Sequence, residues 1–331
     1  MRVAVDGMGG DNAPDAVVKG CLAVLEQTDD IEISLVGRSD VLSESIQRIS
    51  GKSGEDFAPR LTIVHAQDVV TMDDKPSIAL RQKKDNSIAR SVKLLADKEV
   101  DAAVSAGNTA ALVGVSSYVI GMIKGAKRPG VAVPLPARGG SCTIIDLGAN
   151  IACKAQHLYQ YGIMASAYSE KVLGLENPRV GLVNIGTEDS KGIDMIVEAN
   201  KLFKDSDLNY VGYVEGNEIF LGGCDVAVCE GFLGNILLKA IEGFSTNFIH
   251  TVIDEIKKLF AGDAEKQAVA LSNFKKRTDW KDYGGAPLLG LDGVVILAHG
   301  KSDAVAIANS IIRADQLAKS GLNEYLLARL T

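Results

Sequence analysis

Most of the residues able to do chemistry in this 331-residue chain lie in six short polar loops, each marked by glycine and each following an apolar run. They are Asp6-Gly7-Met8-Gly9-Gly10-Asp11-Asn12, Ser105-Ala106-Gly107-Asn108-Thr109, Asp146-Leu147-Gly148-Ala149-Asn150, Asn184-Ile185-Gly186-Thr187-Glu188-Asp189-Ser190-Lys191-Gly192, Glu230-Gly231-Phe232-Leu233-Gly234-Asn235 and Ala298-His299-Gly300-Lys301-Ser302. Glycine lets the backbone come close to a ligand, and a helix opening after such a loop offers unpaired N–H groups to an anion. Together the six predict a single cleft for a negatively charged or carbonyl-bearing substrate.

Each loop has a functional reading and a plainer one. Gly107-Asn108-Thr109 before an alanine-rich helix reads as an anion site or as a simple cap. Lys191 is either a solvated lysine or the group that neutralises phosphate. Asn235 either caps the helix that follows it or donates its amide to an oxyanion. His299 is a core histidine or a substrate contact. Asp6 and Asp11 suit helix caps and loop ordering better than a metal. Gly7-Met8-Gly9-Gly10-Asp11-Asn12 puts Asn12 where a dinucleotide fingerprint needs its third glycine, and the next strand ends in Gly37-Arg38 with no ribose-binding carboxylate. Gly300-Lys301-Ser302 copies the end of a P-loop, but Val295 stands where the first glycine belongs. There is no Gly-x-Ser-x-Gly elbow, and no cysteine has a histidine and cations beside it. Donor-rich loops without a nucleophile suit direct attack by a small bound nucleophile on an activated carbonyl.

Strand-like runs at 3–5, 31–36, 61–64, 102–104, 131–133, 143–145, 180–184, 210–212, 226–228 and 294–297 must position these loops. Several are apolar throughout, as strands covered on both faces are. Helical periods alternate with them: Val18, Leu22 and Leu25 share one face, as do Ile88, Val92 and Leu95. The alternation predicts a largely parallel three-layer α/β/α sheet in two lobes around a cleft. Residues 244–260 form a long amphipathic pattern, read either as a helix on its own core or as an arm that pairs with a second subunit.

Apolar residues make up 47% of the chain and charged residues 23%, ordinary for a globular protein. The net charge of −7 argues against a nucleic-acid footprint, although Lys275-Lys276-Arg277 with Lys281 forms a local basic run suited to an acidic partner. Met1-Arg2-Val3-Ala4-Val5-Asp6 enters a strand at once, without the apolar stretch of a signal peptide. The five cysteines show no metal-like spacing and read as buried thiols of a reducing compartment. The chain is therefore expected in the cytoplasm.

These segments, with Pro76-Ser77-Ile78-Ala79-Leu80-Arg81, Arg128-Pro129-Gly130 and Tyr283-Gly284-Gly285-Ala286-Pro287-Leu288-Leu289-Gly290, resemble the bacterial phosphate acyltransferases over nearly the whole chain. The resemblance implies an isopropylmalate-dehydrogenase-like α/β/α fold with a protruding helical arm, here residues 244–282 within a single two-lobed unit spanning 1–331. It implies conversion of acyl-acyl carrier protein and inorganic phosphate to acyl phosphate, at the first step of phospholipid synthesis, by a homodimer with no metal or cofactor. Lys191 and Asn235 match the family's catalytic lysine and asparagine. Asp6, Asn12, Gly107, Asn108, Thr109, Asn150, Thr187 and His299 are the residues expected to face phosphate and substrate. Peripheral contact with the inner face of a membrane, or with a membrane glycerol-phosphate acyltransferase, is also implied. The arm tip departs from the family pattern: Gly262, Asp263, Glu265 and Lys266 make it polar, with only a short Ala268-Val269-Ala270-Leu271 run, which fits surface contact better than insertion.

Overall fold

The computed structural model describes residues 1–260, 262–278 and 284–331, with the backbone alone at 250, 265 and 273–278. The basic run 275–281 thus lies outside the described side chains. Eleven strands form one sheet in the order β3 (Leu61–His65), β2 (Glu32–Gly37), β1 (Arg2–Asp6), β4 (Ala102–Ser105), β11 (Val294–Leu297), β10 (Ala286–Leu289), β5 (Gly130–Ala137), β6 (Gly140–Ile145), β9 (Val226–Val228), β7 (Val180–Val183), β8 (Tyr210–Val214). Pairing is parallel from β3 to β11 and from β6 to β8, and antiparallel across β11, β10, β5 and β6. The sheet therefore has two parallel halves that point in opposite directions.

Apolar side chains on both faces of the strands require helices on both faces. Val3 and Val5 of β1 face one core and Ala4 faces the other. The first core is covered by α1 (Asp15–Gln27), α2 (Ser39–Ser50), α6 (Ala155–Lys171), α7 (Asp194–Lys204), α11 (Ala304–Lys319) and α12 (Leu322–Leu330). The second is covered by α3 (Pro76–Arg81), α4 (Ser87–Ala96), α5 (Thr109–Val119), α8 (Glu218–Leu221) and the start of α9 (Gly231–Leu259). A last helix, α10 (Ala264–Thr278), packs against α9.

Three sequence expectations change. The strand at 131–133 runs on to Ala137 through Pro134 and Pro136. Prolines are tolerated there because β10 pairs with β5 only at Gly130 and Val131, so the far side of the strand has no ladder bond to lose. Residues 286–289, read only as part of a motif, form β10, whose pairing with β11 and β5 joins the two halves. Helix α9 also begins well before residue 244. Leu237, Leu238 and Ile241 pack on the second core, after which Phe244 and Phe248 are exposed and stack at 5.8 Å. No described helix is long and apolar enough to cross a membrane.

Candidate active site

In open α/β sheets the crevice for a ligand lies at the carboxyl ends of the strands, where the strand order reverses. This sheet has two such places. In the first half the order turns at β1 and β4; in the second it turns at β7 and β9. Because the halves run in opposite directions, the loops after β1, β4 and β11 share one edge, and those after β6, β9 and β7 share the other. The six loops thus fall into two groups of three, one at each crevice. Four strand steps separate β11 from β9, and a twist of about 20–25° per step accumulates to roughly 80–100°. The first turns of α9 reach from the second group of loops to the first. Lys239 of α9 has its Nζ 3.4 Å from His299 Nε2, and Glu242 lies 3.7 Å from the same nitrogen.

The first crevice is built on Asp6. Its carboxylate is buried, accepts the Ser105 hydroxyl at 2.6 Å, and takes the Met8 N–H at 3.1 Å. Burial pushes its pKa up and these bonds pull it back. A Cβ on Gly9 would stand 2.3 Å from Asp6 Oδ2 and 2.6 Å from the Gly107 nitrogen, so only glycine allows the two loops to meet. Asn12 Nδ2 donates to the carbonyls of Lys301 and Ser302. Asn108 Oδ1 caps α5 at the Ala111 N–H, and its Nδ2 faces the carbonyls of Thr71, Met72 and Asp74 at 2.9–3.2 Å. Asp6 and Asn108 are therefore buried and bonded within the protein, and the exposed Asn12 also spends its amide on neighbouring carbonyls. Gly107 is buried and its N–H donates to the Ser105 hydroxyl at 3.0 Å, while the half-buried Thr109 remains at the opening of α5. In a hollow of ≈ 370 Å³ beside this crevice, lined by Asn12, Asp15, Ser45 and Arg48 among others, the Ser45 hydroxyl and the Arg48 guanidinium close on Asp15.

The second crevice repeats the buried aspartate. Asp146 Oδ1 accepts the N–H groups of Val131, Gly148 and Ala149, and Oδ2 accepts that of Asn150. Burial again raises the carboxyl pKa against these bonds. Asn150 Nδ2 turns inward to Pro129 O, Tyr161 Oη and Asp146, while its carbonyl accepts the Gly231 N–H at 3.0 Å. Helix α9 rides directly on this loop: a Cβ on Gly231 would meet Asn150 O at 2.4 Å, and one on Gly234 would meet Asp146 O at 1.9 Å.

The cap of α9 decides the state of Asn235. Glu230 accepts the N–H groups of Phe232 at 2.6 Å and Leu233 at 2.9 Å. Asn235 lies inside the helix, exposed, with its side chain against Gly148. Its amide makes no hydrogen bond among the described residues, so the capping alternative is excluded. Across the switch point, the loop after β7 is closed by Asn184 Nδ2 to Lys191 O at 3.0 Å and by Lys191 N–H to Glu188 O at 2.9 Å. The Lys191 stem passes the Gly186 backbone; its ammonium is exposed and forms no ion pair among the described residues. Thr187 is exposed beside it. A neighbouring acid, Asp189, is held by Lys204 at 2.7 Å instead.

A model of the family described as fatty acid synthesis protein matches residues 1–325. The phosphate acyltransferase of Clostridium novyi is 40% identical over 333 residues, covering 100% of this chain and 98% of that one. The phosphate acyltransferase of Geotalea uraniireducens is 42% identical over 332 residues, covering 100% and 94%. The chain belongs to the phosphate acyltransferase family. Its fold is shared with a phosphotransacetylase from Streptococcus pyogenes, at a TM-score of 0.64 and 16% identity over 96% of this chain and 94% of that one. It is also similar to a 4-hydroxythreonine-4-phosphate dehydrogenase from Klebsiella pneumoniae, with a TM-score of 0.52 and 12% identity over 96% and 99%.

Within this phosphate acyltransferase family member, sequence reasoning gave no role to Glu230, Lys239 or Glu242. Glu230 carried a usable signal, an acid just before a helix start. Lys239 and Glu242 did not, because their partner His299 lies about sixty residues away in sequence. Cys229 is fully buried and Cys153 half-buried; burial pushes both thiols above their ordinary pKa, well above it at Cys229. Neither suits an acyl-enzyme nucleophile.

Proposed function

We propose that this protein transfers the acyl group of an acyl-acyl carrier protein to inorganic phosphate, making acyl phosphate for phospholipid synthesis. The observation that carries this reading is the second crevice: the Lys191 ammonium and the Asn235 amide, neither with a partner among the described residues, flank the β7–β9 switch point. Ligands of open α/β sheets bind at such a place.

Phosphate would enter with Lys191 offsetting its charge and the Thr187 hydroxyl beside it. A phosphate oxygen attacks the thioester carbon, and the carbonyl pair moves onto oxygen. The Asn235 amide donates to that oxyanion; one such donor is worth roughly 2.7–4 kcal/mol in the transition state. The oxyanion collapses, the C–S bond breaks and the thiolate leaves, to be protonated from water. A thiolate needs no strong general acid. The side chains of Asp6, Asn12, Asn108 and Asn150 order their loops, as does the Gly107 N–H, leaving Thr109 and His299 to line the side of the cleft facing α9. The same reading takes the fold to be isopropylmalate-dehydrogenase-like. It takes the exposed part of α9 with α10 to be an arm that pairs two copies, and the setting to be the cytoplasm with peripheral membrane contact.

The test is to incubate the protein with acyl-acyl carrier protein and phosphate, trapping acyl phosphate with hydroxylamine while following free thiol. Acyl phosphate should appear in step with thiol, and only with phosphate present. Thiol release that ignores phosphate would instead mark a thioesterase and end this reading.

A further inference from the structure

One surface beside the second crevice is strongly positive on a chain whose net charge is −7. The segment joining α5 to β5 carries Lys124, Lys127 and Arg128, and the residue before α6 is Lys154. The fold brings them together. Gln160 of α6 donates to Gly125 O at 2.8 Å and accepts the Lys127 N–H at 2.9 Å, fixing the segment against the helix. In the first turn of α6, His157 Nδ1 accepts the Lys154 N–H at 3.1 Å. The His157 pKa is lowered first by burial and then by the charges of Arg128, Lys154 and Lys127, so all three lie within electrostatic reach of this residue.

All four cations are exposed, and none makes an ion pair among the described residues. Asp146, the buried carboxylate nearby, is filled by backbone donors. Like charges left together without a partner repel one another and raise the local potential for an anion. The patch also has a direct connection to the site. Arg128 precedes Pro129, whose carbonyl holds Asn150; the Asn150 carbonyl in turn holds Gly231, the first residue of α9. The exposed Ile151 follows in the same loop.

We propose that Lys124, Lys127, Arg128 and Lys154 form the docking surface for an acidic acyl carrier protein, which presents its thioester to the crevice between Lys191 and Asn235. This rests on the reaction proposed above. The cations lie spread over an exposed face of two elements, which fits a protein surface of opposite charge; a single phosphate needs donors converging on one point. Exposed charges of this kind act mainly on encounter rate and on its salt dependence.

The experiment compares the full chain with the triple variant Lys127→Glu/Arg128→Glu/Lys154→Glu, using acyl-acyl carrier protein and acyl-pantetheine as donors at low and high salt. For the carrier donor, kcat/KM should fall about tenfold or more at low salt and converge on wild type at high salt. For acyl-pantetheine it should stay within about twofold, since that donor brings no acidic protein. An equal fall with both donors, or none with either, overturns the proposal. So does a change in the oligomeric size of the variant, which would make the patch a contact between copies. Should the triple variant not fold, Lys127→Gln/Arg128→Gln should still weaken use of the carrier by about threefold, and unaltered kinetics there also overturn it. A wild-type protein that uses acyl-pantetheine but gains nothing from the carrier removes the docking surface and leaves the reaction standing. One that makes acyl phosphate from neither removes the reaction itself.

Discussion

The two crevices start from the same device and end differently. Each has a buried aspartate at a strand end, Asp6 or Asp146, that gathers the N–H or O–H groups of a glycine loop. In the first, the other amide side chains also close on the protein: Asn12 on the loop after β11, and Asn108 on three carbonyls and a helix start. In the second, Asn150 closes in the same way, but Thr187, Lys191 and Asn235 are left exposed. A buried polar group must find its partners inside the fold, whereas an exposed one keeps its capacity for a ligand. The asparagines of the first crevice are thus tied to the protein, whereas the second keeps in Asn235 an amide without a partner among the described residues.

The sharpest way to break this comparison is Lys191→Ala and Asn235→Ala. Each should lower kcat by on the order of a hundredfold to a thousandfold. Both side chains are exposed, so the thermal midpoint should barely move, as for surface substitutions within about 0.5 kcal/mol. Near-normal turnover in both would take the chemistry away from the second crevice. Next in size is Gly234→Ala. The added methyl must displace the Asp146 carbonyl, which overpacking data put at about 1–3 kcal/mol of stability. Because the shift falls on the turn that carries Asn235, kcat should drop more than about tenfold in the protein that remains folded. An unshifted melt with full activity would mean that α9 does not rest on the Asp146 loop as described. The smallest effect on catalysis is expected from Asn108→Ala. Losing the α5 cap and the bonds to the loop at Thr71–Asp74 should remove about 2 kcal/mol of stability, with kcat per folded molecule within about threefold of wild type. Loss of turnover with an unchanged melt would show that Asn108 serves the substrate directly and that the first crevice is not a passive wall.

The strand–loop–helix junctions were readable from sequence because their signals are local. An apolar run, a glycine and a capping side chain lie within a few residues of one another, and the observed strands end one to three residues before those glycines. What escaped reading had distant partners or conflicting local signals. Pro134 and Pro136 argue against a strand, and only the short reach of β10 along β5 explains why they are allowed. The β10 strand itself is four residues long and carries Pro287. The free amide of Asn235 depends on Glu230 taking the cap, a competition between two plausible residues that local spacing does not resolve. The patch formed by Lys127, Arg128 and Lys154 required Gln160 to bring two separate segments together.

The amino-acid order alone determined which short segments become strands buried on both faces, which loops carry glycine and polar side chains, and where helices begin. Those properties follow from the side chains and backbone freedom of near neighbours. Tertiary structure decided that the six loops divide between two edges, because three antiparallel pairings in mid-sheet reverse the strand direction. It also decided which amides are bonded to carbonyls and which remain free for a ligand, since that depends on partners up to some two hundred and ninety residues away along the chain, as between Asn12 and Ser302.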